Sequence, residues 1–221
     1  MSCFCLSSLA KKLIMSISGA FLMVFLVVHL GANLTALFSQ ELYNEVCHFM
    51  DTNLLIRVMV PVLAAGFAVH IAFALLLTFQ NFMARGEQRY AVAGKSDVSW
   101  SSRNMFVLGV IVLGFLALHL FHFWAKMQLQ TFLGLMGMDA VPNHDPYTLV
   151  RELFGNPVYS VVYLIWIWAL WFHLTHGFWS AFQSMGLNNA NWLPRLKVAG
   201  TVYAWVIALG FSAIPIYFLF F

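Results

Sequence analysis

Charge is scarce in this chain: of its 221 residues only 9% are Asp, Glu, Lys or Arg, while 62% are hydrophobic. Soluble domains carry about a quarter charged residues, so this composition excludes an ordinary water-solvated core and points to lipid as the main solvent. Cysteine is almost absent. Cys3, Cys5 and Cys47 cannot build a disulfide framework, because one is left over and two stand a residue apart. No C-x-x-C-H occurs, which excludes covalent c-type haem attachment, and Cys3-x-Cys5 is poor spacing for zinc. The thiols read as incidental. The formal charge of +3 is too small, and too divided along the chain, to serve nucleic acid.

What is present is long apolar runs. A crossing helix needs about 20 residues, and five segments qualify: 13–38, 54–83, 104–126, 157–185 and 199–220. The first follows Lys11 and Lys12 like a signal peptide, but it continues to Phe38, far beyond a signal's apolar stretch of about 7–15 residues. It reads as a retained span. The expected fold is a single all-α domain over 1–221, a five-span transmembrane bundle.

Basic residues orient it. Lys11, Lys12, Arg85, Arg89, Lys95, Arg103, Arg195 and Lys197 fall on one side; Arg57, Lys126 and Arg151 fall on the other. The excess places the amino terminus in the cytoplasm. The acidic residues lean the other way, and none lies deep in a span. In the outer connections, residues 40–50 carry Leu42, Val46, Phe49 and Met50 at helical spacing opposite Glu41, Glu45 and His48, a pattern for a helix lying on the outer surface. Residues 142–146, P-N-H-D-P, read as a turn.

Six of the eight histidines lie inside the spans: His29, His70, His119, His122, His173 and His176. An ionisable side chain in hydrocarbon is costly and marks function by default, and imidazole is a common metal and haem ligand. Counted from the outer boundary at about 1.5 Å per residue, His29 and His119 lie roughly 11–14 Å deep. His70 and His173 lie roughly 20–24 Å deep on the same count. Two levels of two histidines, on four helices, suit two bis-histidine haems in a four-helix core. His122 and His176 have no depth partner and read as helix-contact residues, with His176 the alternative ligand to His173. A haem-free polytopic transporter is the rival from another class, but divalent-metal transport wants carboxylates beside the imidazoles, and the spans have none.

At these residues the chain resembles the dihaem cytochrome b membrane-anchor subunit of succinate:quinone oxidoreductases and quinol:fumarate reductases. The resemblance covers nearly the whole chain. It runs through Gly19, ten residues before His29, and His29-Leu-Gly-Ala-Asn33. It continues in Tyr43-Asn44, His48-Phe49-Met50-Asp51, His70, and Gly109 ten before His119. It closes with Phe172-His173-Leu-Thr-His176-Gly177-Phe-Trp179-Ser180 and Gly186.

The resemblance implies two b haems, the outer held by His29 and His119 and the inner by His70 and His173. It implies a flavoprotein subunit and an iron–sulfur subunit on the cytoplasmic side of a bacterial inner membrane, and it admits a dimer of the whole complex. The docking face expected for these subunits is 85–103 with 186–198, where basic residues gather. Menaquinone is the implied electron partner, handled near the outer haem, where Asn33, Glu45, His48 and Asp51 stand. Ser16 and Arg103 are the inside-facing candidates for haem propionates. Where some members carry a glutamate beside the ligand of the fourth span, implicated in proton passage, this chain has Trp171, Phe172 and Leu174. A cytochrome b anchor of a hydrogenase or formate dehydrogenase is the nearest alternative.

Overall fold

The computed structural model describes residues 7–84, 99–139 and 145–221. The described chain is helical, without strands, and five of its helices are long and apolar enough to cross a membrane. These are α1 (Ser8–Leu34), α3 (Leu54–Ala84), α5 (Met105–His122), α8 (Pro157–Ser184) and α9 (Trp192–Phe220). Short helices complete the order: α2 (Gln40–Thr52), α4 (Trp100–Arg103), α6 (Gln128–Leu135) and α7 (Pro146–Gly155). Single 3-10 turns follow α1 and α5, at Thr35–Leu37 and Trp124–Lys126.

Two boundaries differ from the sequence reading. The first span begins at Ser8, because the Ser7 hydroxyl accepts from the Ala10 N–H (3.1 Å) and starts the helix before Lys11 and Lys12. The last begins at Trp192, so Arg195 and Lys197 ride its first turns, each over a tryptophan ring. The Arg195 guanidinium carbon is 5.6 Å from the Trp192 ring centre, and the Lys197 ammonium is 5.2 Å from that of Trp179. Of the expected docking face, 85–98 lies outside the described residues.

The packing has a definite order. The most extensive interface is α8 on α9, followed by α1 on α3, α1 on α8 and α5 on α8. Four helices therefore stand in the sequence α3, α1, α8, α5, with α9 backed against α1 and α8. Small residues explain the α9 contact. Gly200, Ala204, Ala208 and Ser212 recur every fourth residue, all buried, the small-residue stripe that lets helices approach closely where lipid gives no hydrophobic drive. A Cβ at Gly200 would lie 3.0 Å from Phe178 of α8, and one at Gly210 would lie 2.8 Å from Leu30 of α1. Tyr203 of α9 adds a hydrogen bond to the Met23 carbonyl of α1 at 2.7 Å. By contrast α3 has no fully buried residue.

The short helices α2, α6 and α7 gather at the end of the bundle opposite the amino terminus, the distal end. The helix expected over 40–50 is α2, but it has an additional inward face. Tyr43 is buried against α7 and Cys47 is half-buried beside it, while Leu42 and Phe49 are exposed. Burial pushes the Cys47 thiol up to about 11, so it stays protonated near neutral pH and fits an incidental thiol. Asp145 ties α7 to α2. It caps α7 through the Thr148 N–H (2.8 Å) and hydroxyl (2.7 Å), and it accepts from the side-chain amides of Asn44 and of Gln40 (3.4 Å). Residues 140–144, most of the expected turn, lie outside the described residues. Pro146 occupies the first helical position, where its missing N–H costs nothing.

Burial alone would push Asp145 up, but the bonds from Thr148 and Asn44 and the nearby Arg151 charge outweigh it and hold the carboxyl below its ordinary value. A depressed carboxylate stabilises above the unfolded pKa of about 3.9 and loses that contribution as pH falls through its native value. Asp145→Ala should cost about 1 kcal/mol of local stability, the usual worth of such a cap. Hydrogen exchange should speed in α2 and α7 and stay unchanged in α8 and α9, with the wild type approaching the variant only below about pH 4.

Candidate haem-binding centre

The four deep histidines meet in two pairs. The rings of His29 on α1 and His119 on α5 are 5.8 Å apart at 90°. Those of His70 on α3 and His173 on α8 are 6.5 Å apart at 69°. Each pair joins helices that are not neighbours in the order α3, α1, α8, α5, so both pairs span the bundle interior on its two diagonals.

Glycines set the distance between pairs. A Cβ at Gly19 of α1 would lie 3.3 Å from the His70 ring, and one at Gly109 of α5 would lie 3.9 Å from the His173 ring. Each glycine stands ten residues before the histidine that its own helix gives to the other pair. At 1.5 Å per residue the levels are therefore about 15 Å apart along the bundle. That exceeds the difference counted from the sequence. The α-helices give way to 3-10 turns after Leu34 and His122, leaving the distal pair within about two turns of the helix ends.

The surroundings of the pairs differ. The distal pair sits among aromatic rings: Phe25 stacks on His29 at 5.1 Å, while Phe123 and Trp166 lie 5.2 and 5.5 Å from His119. Asn33, one turn beyond His29, donates to the His29 carbonyl at 2.8 Å and brings its amide to 3.3 Å from Nδ1 of that ring. The other pair is held by Ser18. Its hydroxyl donates to the Met15 carbonyl (3.0 Å) and stands 3.4 Å from His70 Nδ1. With Nδ1–H donated to Ser18, His70 Nε2 would keep the lone pair that a metal binds.

A metal-bound cofactor fits this arrangement. A metal–imidazole bond of about 2 Å, with about 1 Å more to the ring centre, allows two imidazoles that share a metal to have their centres up to about 6–6.5 Å apart. Observed separations are 5.8 and 6.5 Å. Each pair also contains an Nδ1, of His119 and of His173, that is buried without a hydrogen-bond partner among the described residues, a state that a bound group would relieve and that Nδ1 of His176 shares. Among the described residues no three or more His, Cys, Asp or Glu converge as a metal cage. Facing pairs suit a cofactor that brings its own equatorial ligands, as haem does.

The remaining histidines separate by partner. His122 is buried, and its Nδ1 is 3.0 Å from the Tyr163 hydroxyl with the rings stacked at 25°, as expected of a helix-contact histidine. His176 also has a buried Nδ1 without a partner among the described residues, and its ring packs edge-on to Trp179 at 4.8 Å. Ser16 bonds back to the Lys12 carbonyl at 2.8 Å, and Arg103 ends α4. Glu45 and His48 are exposed on α2, with His48 lining a cleft of about 240 Å³. Asp51 turns toward α6, accepting from Gln128 (3.3 Å) and Thr131 (3.4 Å). Asn33, at the distal histidines, is not brought together with these three. Sequence reasoning missed Ser18 and Tyr163, whose hydroxyls meet histidines of other helices.

Comparison with protein-family models, with characterised proteins and with solved structures returns no match. The reading of this centre therefore rests on its own geometry.

Tyr163→Phe keeps the ring and removes the hydroxyl, leaving His122 Nδ1 buried without a partner. A buried polar atom left unsatisfied costs about 1–3 kcal/mol, so a thermal-unfolding scan should show a clear loss of stability. Tyr159→Phe, which removes a more exposed hydroxyl, should show almost none.

Proposed function

We propose that this chain is the membrane anchor and electron-transfer subunit of a succinate dehydrogenase or fumarate reductase complex. It passes electrons between an iron–sulfur subunit and menaquinone with two b haems. The observation that carries the reading is the pair of histidine couples on the two diagonals of one four-helix core, about 15 Å apart by helix rise. A transporter needs a polar route, and neither couple has a carboxylate in the spans beside it.

His29 with His119, and His70 with His173, would hold the two haems in this account. A bound haem supplies a one-electron carrier whose potential follows from its ligands, burial and nearby hydrogen bonds. The protein's own work is positioning. Ser18 sets the tautomer of His70, Asn33 steadies His29, and Gly19 and Gly109 clear the space beside the other couple that a side chain would fill. The aromatic rings around His119 keep water from the distal level. Charge moved fully across the membrane exchanges about 2.3 kcal/mol per 100 mV with the potential, which gives a two-level arrangement its energetic purpose.

The basic excess favours a cytoplasmic amino terminus in a bacterial inner membrane, with the flavoprotein and iron–sulfur subunits on that side. Quinone is handled at the distal end. Glu45 and His48, exposed at the water boundary, are the groups suited to exchange its protons with the outer phase. The chain itself performs no chemistry on succinate or fumarate.

Pyridine haemochrome analysis against protein mass should give about two non-covalent b haems per chain; one would remove the two-level account, and none would remove the cytochrome. His173→Ala should lose the haem of its level while His176→Ala retains both, since only His173 faces His70; absorption of the purified variants reads this directly. Replacing Glu45 and His48 together should slow quinol turnover several-fold while haem content and succinate–dye activity stay at wild-type levels. Unchanged quinol kinetics would return both residues to a solvated helix face.

A further inference from the structure

A cleft of about 270 Å³ opens at the distal end between the start of α3 and α6. Its walls are apolar, from Val58, Pro61, Phe132 and Leu135, and its polar rim includes Arg57 and Asp51. Arg57 stands in the first turn of a membrane-spanning helix, the level at which basic side chains meet lipid headgroups. Among the described residues its polar contact is from Nε to the Asp51 backbone carbonyl at 2.5 Å. That bond fixes the guanidinium and leaves its terminal N–H groups without a carboxylate.

The Asp51 side chain turns instead to Gln128 and Thr131 at 3.3 and 3.4 Å. A carboxylate has about four acceptor sites, so two long bonds leave it capacity. The rim thus offers one positive and one negative group, each engaged by the protein but not with each other, at the mouth of an apolar slot.

We propose that this cleft binds a zwitterionic phospholipid of the phosphoethanolamine class. The phosphate meets the Arg57 guanidinium, whose planar fork matches phosphate oxygens. The ammonium donates to Asp51. One acyl chain lies along Val58, Pro61, Phe132 and Leu135. Other occupants match less of the rim. A quinone has no charge for either group, an anionic lipid gives Asp51 no cation, and free phosphate makes no use of the apolar wall. A choline headgroup has no N–H to donate.

The test places the full chain in nanodiscs of equal phosphatidylethanolamine, phosphatidylglycerol and phosphatidylcholine, then extracts it in mild detergent and measures retained lipid by native mass spectrometry. Phosphatidylethanolamine should be enriched over its bulk share with about one molecule held per chain. Arg57→Gln should reduce that retention roughly fivefold, the worth of one basic contact at a membrane surface. Asp51→Asn should abolish the preference for phosphatidylethanolamine over phosphatidylglycerol while some lipid stays bound. Leu135→Trp, which fills the slot without touching the charges, should also empty it and serves if the Arg57 variant does not fold. Retained lipid that mirrors the bulk mixture would overturn the proposal. So would undiminished retention in Arg57→Gln, or loss of co-purified quinone with lipid unchanged.

Discussion

Everything in this molecule turns on the cost of an imidazole in hydrocarbon. An imidazole at membrane depth is unfavourable by several kcal/mol unless its nitrogens are satisfied, and this chain carries four deep ones on four different helices. The packing resolves that cost by bringing them together across the interior rather than hiding each against a neighbour. His29 faces His119 and His70 faces His173, on helices that do not otherwise form packed pairs. His122 stands apart from these pairs, with its Nδ1 3.0 Å from the Tyr163 hydroxyl. The four deep histidines converge in twos across the bundle, with ring centres 5.8 and 6.5 Å apart.

The rest of the bundle follows from holding the four histidine-bearing helices together. The small-residue stripe of α9 concentrates close packing on one side, against α8 and α1. The opposite side, between α3 and α5, is left without a close interface. Gly19 and Gly109 extend the same logic inward, since each thins its helix where the other level's histidine ring passes. At the distal end Asp145 and its partners fasten α2 and α7 over α8 and α9. The Ser160 hydroxyl, wholly buried, bonds the Phe154 carbonyl at 2.5 Å and locks the joint between α7 and α8.

Much of this was legible in the residues because membrane helices obey few and strong rules. Apolar length identified five spans, and their cores agree with the structure; only ends shifted, where Ser7 capped early and where the chain coiled from Trp192 onward. Counting depth along helices grouped the same histidines whose rings the structure brings together, since a straight helix converts residue number into distance. Sequence could not say which helices oppose each other. That depends on small-residue contacts and on the short distal helices α6 and α7, whose apolar content is too slight to stand out. The N-cap Asp145 with Pro146 after it was the one local sign of α7. The hydroxyls of Ser18 and Tyr163 were hidden for another reason: a serine or tyrosine becomes informative only once its neighbour across the bundle is known. Of the distal polar residues, Asn33 proved to belong to the histidine level and Asp51 to the α6 contact, leaving Glu45 and His48 on open surface.

In the proposed cytochrome the histidines act in couples. Low-temperature electron paramagnetic resonance of the oxidised chain tests this most directly. The account predicts two low-spin ferric signals, with His29→Ala and His119→Ala each removing the same one, and His70→Ala and His173→Ala each removing the other. Loss of signals in any other grouping, or the absence of low-spin ferric iron altogether, would contradict it.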